Sequence, residues 1–265
     1  MITRLRREIG FVVHLVKLNL AGLMEYRATF LTQAIGMFIN NGIYFVFWLM
    51  FFDRFEEVRG YQIEQIYLLF ALVAGGWGLA FTFAGNANRI AGLIAQGRLD
   101  YYLTLPRPVL PHILFSYMNP FTMGDLSFAV IAYIFAGRFD VLSILLWLVC
   151  AICAAIICVS FMAVIGCAAF FMGNAVQWTF YLENALITFS LYPMGLFQGV
   201  ARLLLFTLIP SAFIGAVPVE IVETHSFALL GALAGAALAG IGIMTVVFRI
   251  GLRRYESGSA INVNI

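Results

Sequence analysis

The chain has 265 residues, 63% of them hydrophobic and only 11% charged, with a net charge of +2. Soluble domains hold about 45–50% apolar and about 25% charged residues, so a soluble globular fold is excluded and much of the surface must face lipid. No segment is long and polar enough for a separate soluble domain, so residues 1–265 are expected to form one membrane domain, and no nucleic-acid partner is expected.

The first residues, Met1–Arg7, are basic and precede an apolar stretch, as in a signal peptide. His14, Lys17 and Asn19 break that stretch and a membrane span follows directly, so a cleaved leader is not expected. Within Arg4–Arg27, Leu5, Ile9, Val12, Val16, Leu20 and Leu23 recur at helical spacing, with Arg7, His14 and Lys17 off the stripe. Residues 1–27 therefore read as a helix lying along the inner leaflet, in contact with membrane lipids.

A spanning helix needs about 20 mostly apolar residues. Six candidates follow in the 28–252 region: Ala28–Phe52, Gln65–Ala87, a span within Ile113–Gly137, another within Val141–Gly173, Trp178–Leu196 and Phe227–Leu252. Between the fifth and sixth lies Phe197–Glu223, apolar but cut by Gly199, Pro210, Gly215 and Pro218. It reads as a pair of short helices that dip into the membrane and return; the alternative is a seventh span over Ala201–Val217, which would put the C-terminus outside. With six spans the inner side holds Arg4, Arg6, Arg7, Lys17, Arg27, Arg89, Arg98, Arg107, Arg249, Arg253 and Arg254, against Arg54, Arg59, Arg138 and Arg202 outside. That asymmetry places both termini in the cytoplasm, with 253–265 as a tail.

The loop after the second span is the most distinctive stretch. Ile90, Leu93 and Ile94 make one apolar face of a short helix over Asn88–Gln96, with Arg89 on it, and Gly97 is placed to end that helix in a left-handed conformation. Asp100 is a candidate N-cap for Tyr101–Leu105, which Pro106 stops. The result is a rigid element on the cytoplasmic face, either a connector or a docking surface.

Two acids fall inside the spans, Asp125 and Glu183. A central carboxylate is costly, about 2.5–3.5 kcal/mol on insertion scales. Each is a proton or substrate site, or else sits near an inner helix end and pairs with inner-loop arginines. Cys150, Cys153, Cys158 and Cys167 share one apolar run and read as small packing residues rather than disulfide or metal partners. Gly231, Gly235, Ala239 and Gly242 put small residues on one face of the last span, where close packing within the chain is expected. The lone lysine, Lys17, lies in no phosphate-binding loop, and neither His-Glu-x-x-His nor Gly-x-Ser-x-Gly occurs. No catalytic, cofactor or metal site, and hence no enzyme, is expected.

Three groups of residues carry a resemblance: Tyr26-Arg27-Ala28; Gly97-x-Leu99-Asp100-x-x-Leu103; and Tyr192-Pro193 followed by Phe197, Arg202 and Ile209-Pro210-x-Ala212-Phe213. Nearly the whole chain resembles the six-helix permease subunit of type 2 ATP-binding-cassette exporters, in a bacterial subgroup. An arginine commonly precedes the proline after the Leu-Asp motif there; here Leu105 does, and Arg107 follows Pro106. The resemblance implies an inner-membrane permease that dimerises with itself or a similar permease and is driven by separate cytosolic ATPases, which use ATP and Mg. By position, Asn88–Gln96 would be the coupling helix that docks on the ATPase, Gly97, Leu99 and Asp100 its exit turn, and 197–217 an outer gate. A hydrophobic or amphipathic cargo is expected. Two other readings stand beside it: a stand-alone secondary transporter, which predicts repeated halves and central charges, and a membrane scaffold that transports nothing.

Overall fold

The computed structural model describes residues 2–256, apart from the side chains of 2–5 and 9. The expected stripe positions Leu5 and Ile9, and the tail from Ser257 to Ile265, lie outside the described residues. Among the described residues thirteen α-helices run in chain order: α1 (Ile2–Glu25), α2 (Arg27–Phe52), α3 (Ile63–Phe83), α4 (Ile90–Ala95), α5 (Leu99–Leu103), α6 (Val109–Phe115), α7 (Thr122–Ala136), α8 (Val141–Gly166), α9 (Ala169–Met172), α10 (Val176–Ser190), α11 (Gly199–Thr207), α12 (Ala216–Thr224) and α13 (Phe227–Leu252). Short 3-10 turns occupy Ala87–Arg89, Met194–Leu196 and Pro210–Phe213. Apart from one isolated bridge between Val58 and Tyr61, the described regular structure is entirely helical.

α3 is apolar all round and forms the centre, with fifteen buried residues. Lipid supplies no hydrophobic force between helices, so close packing must hold them. Glycines permit it. A Cβ on Gly76 would lie 2.7 Å from that of Ala154 on α8, and one on Gly78 would lie 2.8 Å from Leu126 on α7. The start of α3 is fixed by a capping box in which the Gln62 backbone N–H donates to Gln65 Oε1 at 2.7 Å. Asp140 caps α8 by accepting from the Ser143 N–H at 2.9 Å, and Ser226 caps α13. α2, by contrast, buries only Phe45 and Trp48.

Four helices are long and apolar enough to cross a membrane: α2, α3, α8 with its α9 extension, and α13. α11 and the 210–224 segment would make a fifth if taken as one span, but a 65° bend separates them, as a re-entrant pair or a broken span requires. The third expected span is not one continuous helix. α6 ends at Phe115, and 116–121 leaves the helix where Pro120 lacks an N–H. The freed backbone pairs with the end of α3: the Gly85 N–H donates to Tyr117 O at 2.9 Å and the Asn119 N–H to Phe81 O at 3.1 Å. α7 then has only 15 residues, about 22 Å at 1.5 Å per residue, against a hydrocarbon core of about 30 Å. The fifth expected span is also short. α10 stops at Ser190, not Leu196, because Pro193 disfavours the helical conformation ahead of it.

The glycine face of α13 corrects the expectation of packing within the chain. A Cβ on Gly231, Gly235 or Gly242 would have no neighbour within 4 Å, and Ala239 is exposed. The inward face instead carries Leu233, Ala237, Gly240, Met244 and Phe248, with Gly240 against Ser160 of α8. The four cysteines are buried and unpaired, three on α8 and Cys167 just after it.

Candidate coupling site

The loop after α3 folds as expected into a compact element, but its apolar face points inward. Ile90, Leu93 and Ile94 are buried against α8, α9 and α10. The approach to α8 is close enough to require glycine: a Cβ on Gly166 would lie 2.9 Å from Ile90 Cβ and 3.3 Å from the Ala91 backbone nitrogen. Gly97 adopts φ +67°. The Arg98 N–H donates to Leu93 O at 2.9 Å and the Gly97 N–H to Ile94 O at 3.0 Å, which completes a Schellman termination of α4. Asp100 is not the N-cap of the next helix. α5 begins at Leu99 with Arg98 as its cap, because the Gly97 carbonyl already accepts from the Asp100 N–H at 3.3 Å and draws Asp100 into the helix.

Polar contacts tie the element to four other parts of the chain. Asn88 Nδ2 donates to Glu183 Oε1 on α10 at 3.2 Å. Buried Asn86 donates to Ile113 O at 3.0 Å and to Ser116 Oγ at 2.9 Å, and the Tyr102 hydroxyl lies 2.9 Å from that same Ser116 Oγ. Leu99 is fully buried. Half-buried Asp100 lies beside Tyr255, just past α13; burial, and after it the Asp100 carboxylate, push the Tyr255 hydroxyl up to about 12. The Arg89 guanidinium sits 3.9 Å above the Tyr117 ring. On the far side, α1 meets α6: Asn19 Nδ2 donates to Phe115 O, Phe11 packs edge-on to His112, and Arg107 pairs with Glu8 at 3.6 Å.

The outward face is therefore polar and aromatic. Arg89, Gln96, Arg98 and Tyr101 are exposed, and a cavity of about 520 Å³ opens between Asn88, Arg89, Arg98 and Tyr117. A rigid platform with two cations and a projecting tyrosine can receive an acidic or aromatic partner surface.

The residues expected at an outer gate fall into separate contacts. Tyr192 meets Trp48 of α2 with ring centroids 5.9 Å apart, Phe197 meets Phe189 at 5.7 Å, and Phe213 meets Phe206 at 5.4 Å. Pro193 is buried and Pro210 opens a 3-10 turn. Arg202 is exposed on α11, close enough to Tyr61 for its charge to act there; burial and then Glu220 nevertheless raise the Tyr61 hydroxyl. This segment docks on the end of α10: a Cβ on Gly215 would collide with Ser190 O, and Ser190 Oγ donates to Leu186 O and, at 3.4 Å, toward Ser211 O. α10 thus meets the coupling element at Glu183 and the bent segment at Ser190.

Neither embedded acid pairs with an arginine. Glu183 accepts from Asn88, and Asp125, 2% exposed, accepts from Asn41 Nδ2 at 2.7 Å through Oδ1. Asp125 Oδ2 is buried with no partner among the described residues. Beside it, Gly124 lets α7 press against the backbone of α2 at Ala34 and Phe38. Asn41, Asn86, Tyr102, Ser116, Gly166 and Tyr255 were not singled out by sequence pattern. An asparagine inside an apolar run is the signal that marks Asn41 and Asn86; Gly166 and Tyr255 carry none.

No curated protein and no solved structure matches the chain. The family model for ABC-2 family transporter proteins matches residues 38–259, more than four-fifths of the chain, including the α4–α5 element, α10 and the bent segment. With its long apolar helices, the chain belongs to the ABC-2 transporter family and is a multi-pass transmembrane permease of that family.

Proposed function

We propose that the chain is the permease subunit of an ATP-binding-cassette exporter in a bacterial inner membrane, paired with a second permease and driven by two cytosolic ATPases that bind ATP and Mg. α6 with α7 makes the third crossing and α10 the fifth, so that six crossings put both termini in the cytoplasm. α1 lies along the inner leaflet and 199–224 forms an external re-entrant pair. The observation that carries this reading is the rigid α4–α5 element: its apolar side is anchored inside and its cationic, aromatic side is left free for a partner. The sparsely buried α2 offers an apolar face to the second permease.

The mechanism follows from the contacts. Closure of the ATPase pair on nucleotide displaces α4–α5 as one body, since the Schellman turn and buried Leu99 leave it no internal hinge. Asn88 then carries α10 through Glu183, and Asp100 acts on Tyr255 at the foot of α13. The other end of α10 moves the bent segment through Ser190. The cargo is hydrophobic or amphipathic. Replacing Arg98 and Tyr101 with alanine is expected to abolish ATPase binding and export in reconstituted vesicles while the permease folds. Unchanged export would overturn the docking role, and hydrolysis of ATP by the purified chain alone would overturn the whole reading.

A second reading, ion-coupled transport, is favoured only by the unpartnered Asp125 Oδ2. Uptake or export driven by a proton gradient without nucleotide would establish it.

A further inference from the structure

A groove of about 820 Å³ opens on the flank of the chain between α3, α6, α8 and α13. That volume lies in the range of ligand sites, about 300–1,000 Å³. Its walls are apolar, with Leu79, Phe83, Leu114, Val159 and Met244 among them. Along α13 it runs from Ile241 to Leu252, about 16 Å at the helical rise. The long dimension and apolar walls suit an alkyl chain rather than a compact solute.

The groove is charged at one end only. Arg249, in the last turn of α13, is its single charged lining residue and is exposed. Among the described residues no carboxylate forms an ion pair with it. Arg253 follows one turn on, also exposed. Within the wall, Ser160 Oγ is buried with no hydrogen-bond partner among the described residues, and Thr245 lies nearby on the facing helix. An apolar channel that ends at an unpaired arginine near a membrane surface is complementary to one molecule type: an acyl chain joined to an anionic phosphate.

We propose that this groove holds one acyl chain of an anionic phospholipid, with its phosphate on Arg249. The site lies apart from the α4–α5 platform and from the bent segment. On the proposed orientation of the termini the phosphate lies in the cytoplasmic leaflet; binding itself does not rest on that orientation.

The test titrates the purified full chain in neutral detergent with phosphatidylglycerol and phosphatidylcholine of identical chains, counting adducts by native mass spectrometry. One phosphatidylglycerol per chain is expected, held about fivefold tighter than phosphatidylcholine, as one surface arginine predicts. Arg249→Gln is expected to remove that preference. Ala155→Phe, which fills the groove, is expected to weaken both lipids; Arg249→Gln alters an exposed position and decides the matter even if Ala155→Phe misfolds. Equal retention of the two lipids, or a preference that survives Arg249→Gln, overturns the proposal. So does loss of the lipid on association of two chains, which would assign the groove to a second copy. A reporter on the C-terminus found outside the cell would overturn the orientation while leaving the binding result intact.

Discussion

Replacing Gly166 with alanine tests whether the seating of α4 on α8 transmits the work of the ATPase. The added methyl would stand 2.9 Å from Ile90 Cβ, 3.2 Å from Ile90 Cγ2 and 3.3 Å from the Ala91 nitrogen. None of these is the free end of a flexible side chain, so α4 must shift by several tenths of an ångström or more. Overpacking of this kind costs about 1–3 kcal/mol. The shift would also stretch the 3.2 Å Asn88–Glu183 hydrogen bond, since Asn88 lies two residues before Ile90. Gly76→Ala is the control: its methyl would lie 2.7 Å from Ala154 Cβ, a comparable clash between α3 and α8 remote from the platform. Both variants are expected to lower thermal stability by similar amounts, while only Gly166→Ala lowers export per ATP hydrolysed in vesicles with the partner ATPase. Equal loss of coupling in the two variants would refute the argument, because stability alone would then explain both.

Asn88→Ala removes the donor to half-buried Glu183 and is expected to destabilise the chain by about 0.6–2 kcal/mol, the usual worth of an interhelical hydrogen bond in a membrane; Glu183→Gln in the same background is expected to recover part of that in chemical denaturation. Asp125→Asn keeps an acceptor for Asn41 and removes a charge with one unpartnered oxygen, so stability should be equal or higher; intact export in this variant would exclude a proton role for Asp125. Tyr255 should ionise later than exposed tyrosines: its hydroxyl is raised from 10.0 to about 12, so its contribution to stability is complete below pH 10 and is lost as pH rises through about 12. A tyrosinate absorbance titration of wild type against Tyr255→Phe, in which the missing chromophore belongs to the late-titrating fraction, measures this.

The long helices were legible because lipid imposes one simple demand, a continuous apolar run, and α2, α8 and α13 begin and end close to where that run does. Gly97 was legible for a different reason: a glycine after a short apolar face has few other uses, and it takes the left-handed conformation. Hydropathy could not show that the third expected span is split at 116–121, where Pro120 and backbone pairing to α3 interrupt the helix. Nor could it orient the faces of α4 and α13. Ile90, Leu93 and Ile94 form an apolar stripe whether they anchor the loop or meet a partner, and only Gly166, 72 residues or more away along the chain, decides between the two. On α13 every face is apolar or small, so pattern alone offers no basis for choosing Gly240 over Gly235 as the contact.

Differences in burial indicate which parts can move in the proposed cycle. α3 buries fifteen residues and is locked to α7 and α8 through Gly76 and Gly78, so shifting it would break the densest packing in the chain. α10 buries only Thr179, Leu186 and Ser190. α10 packs on α8 and the 210–213 turn, and its polar contacts to the rest of the chain include Glu183 to Asn88 and Ser190 to Ser211. A push on α4 therefore meets least resistance along α10, with α3 as the fixed reference. Because interhelical hydrogen bonds in membranes are worth only about 0.6–2 kcal/mol each, both contacts can be remade in a second position at small cost, which a reversible gate needs and a close-packed glycine seam such as that of α3 does not provide.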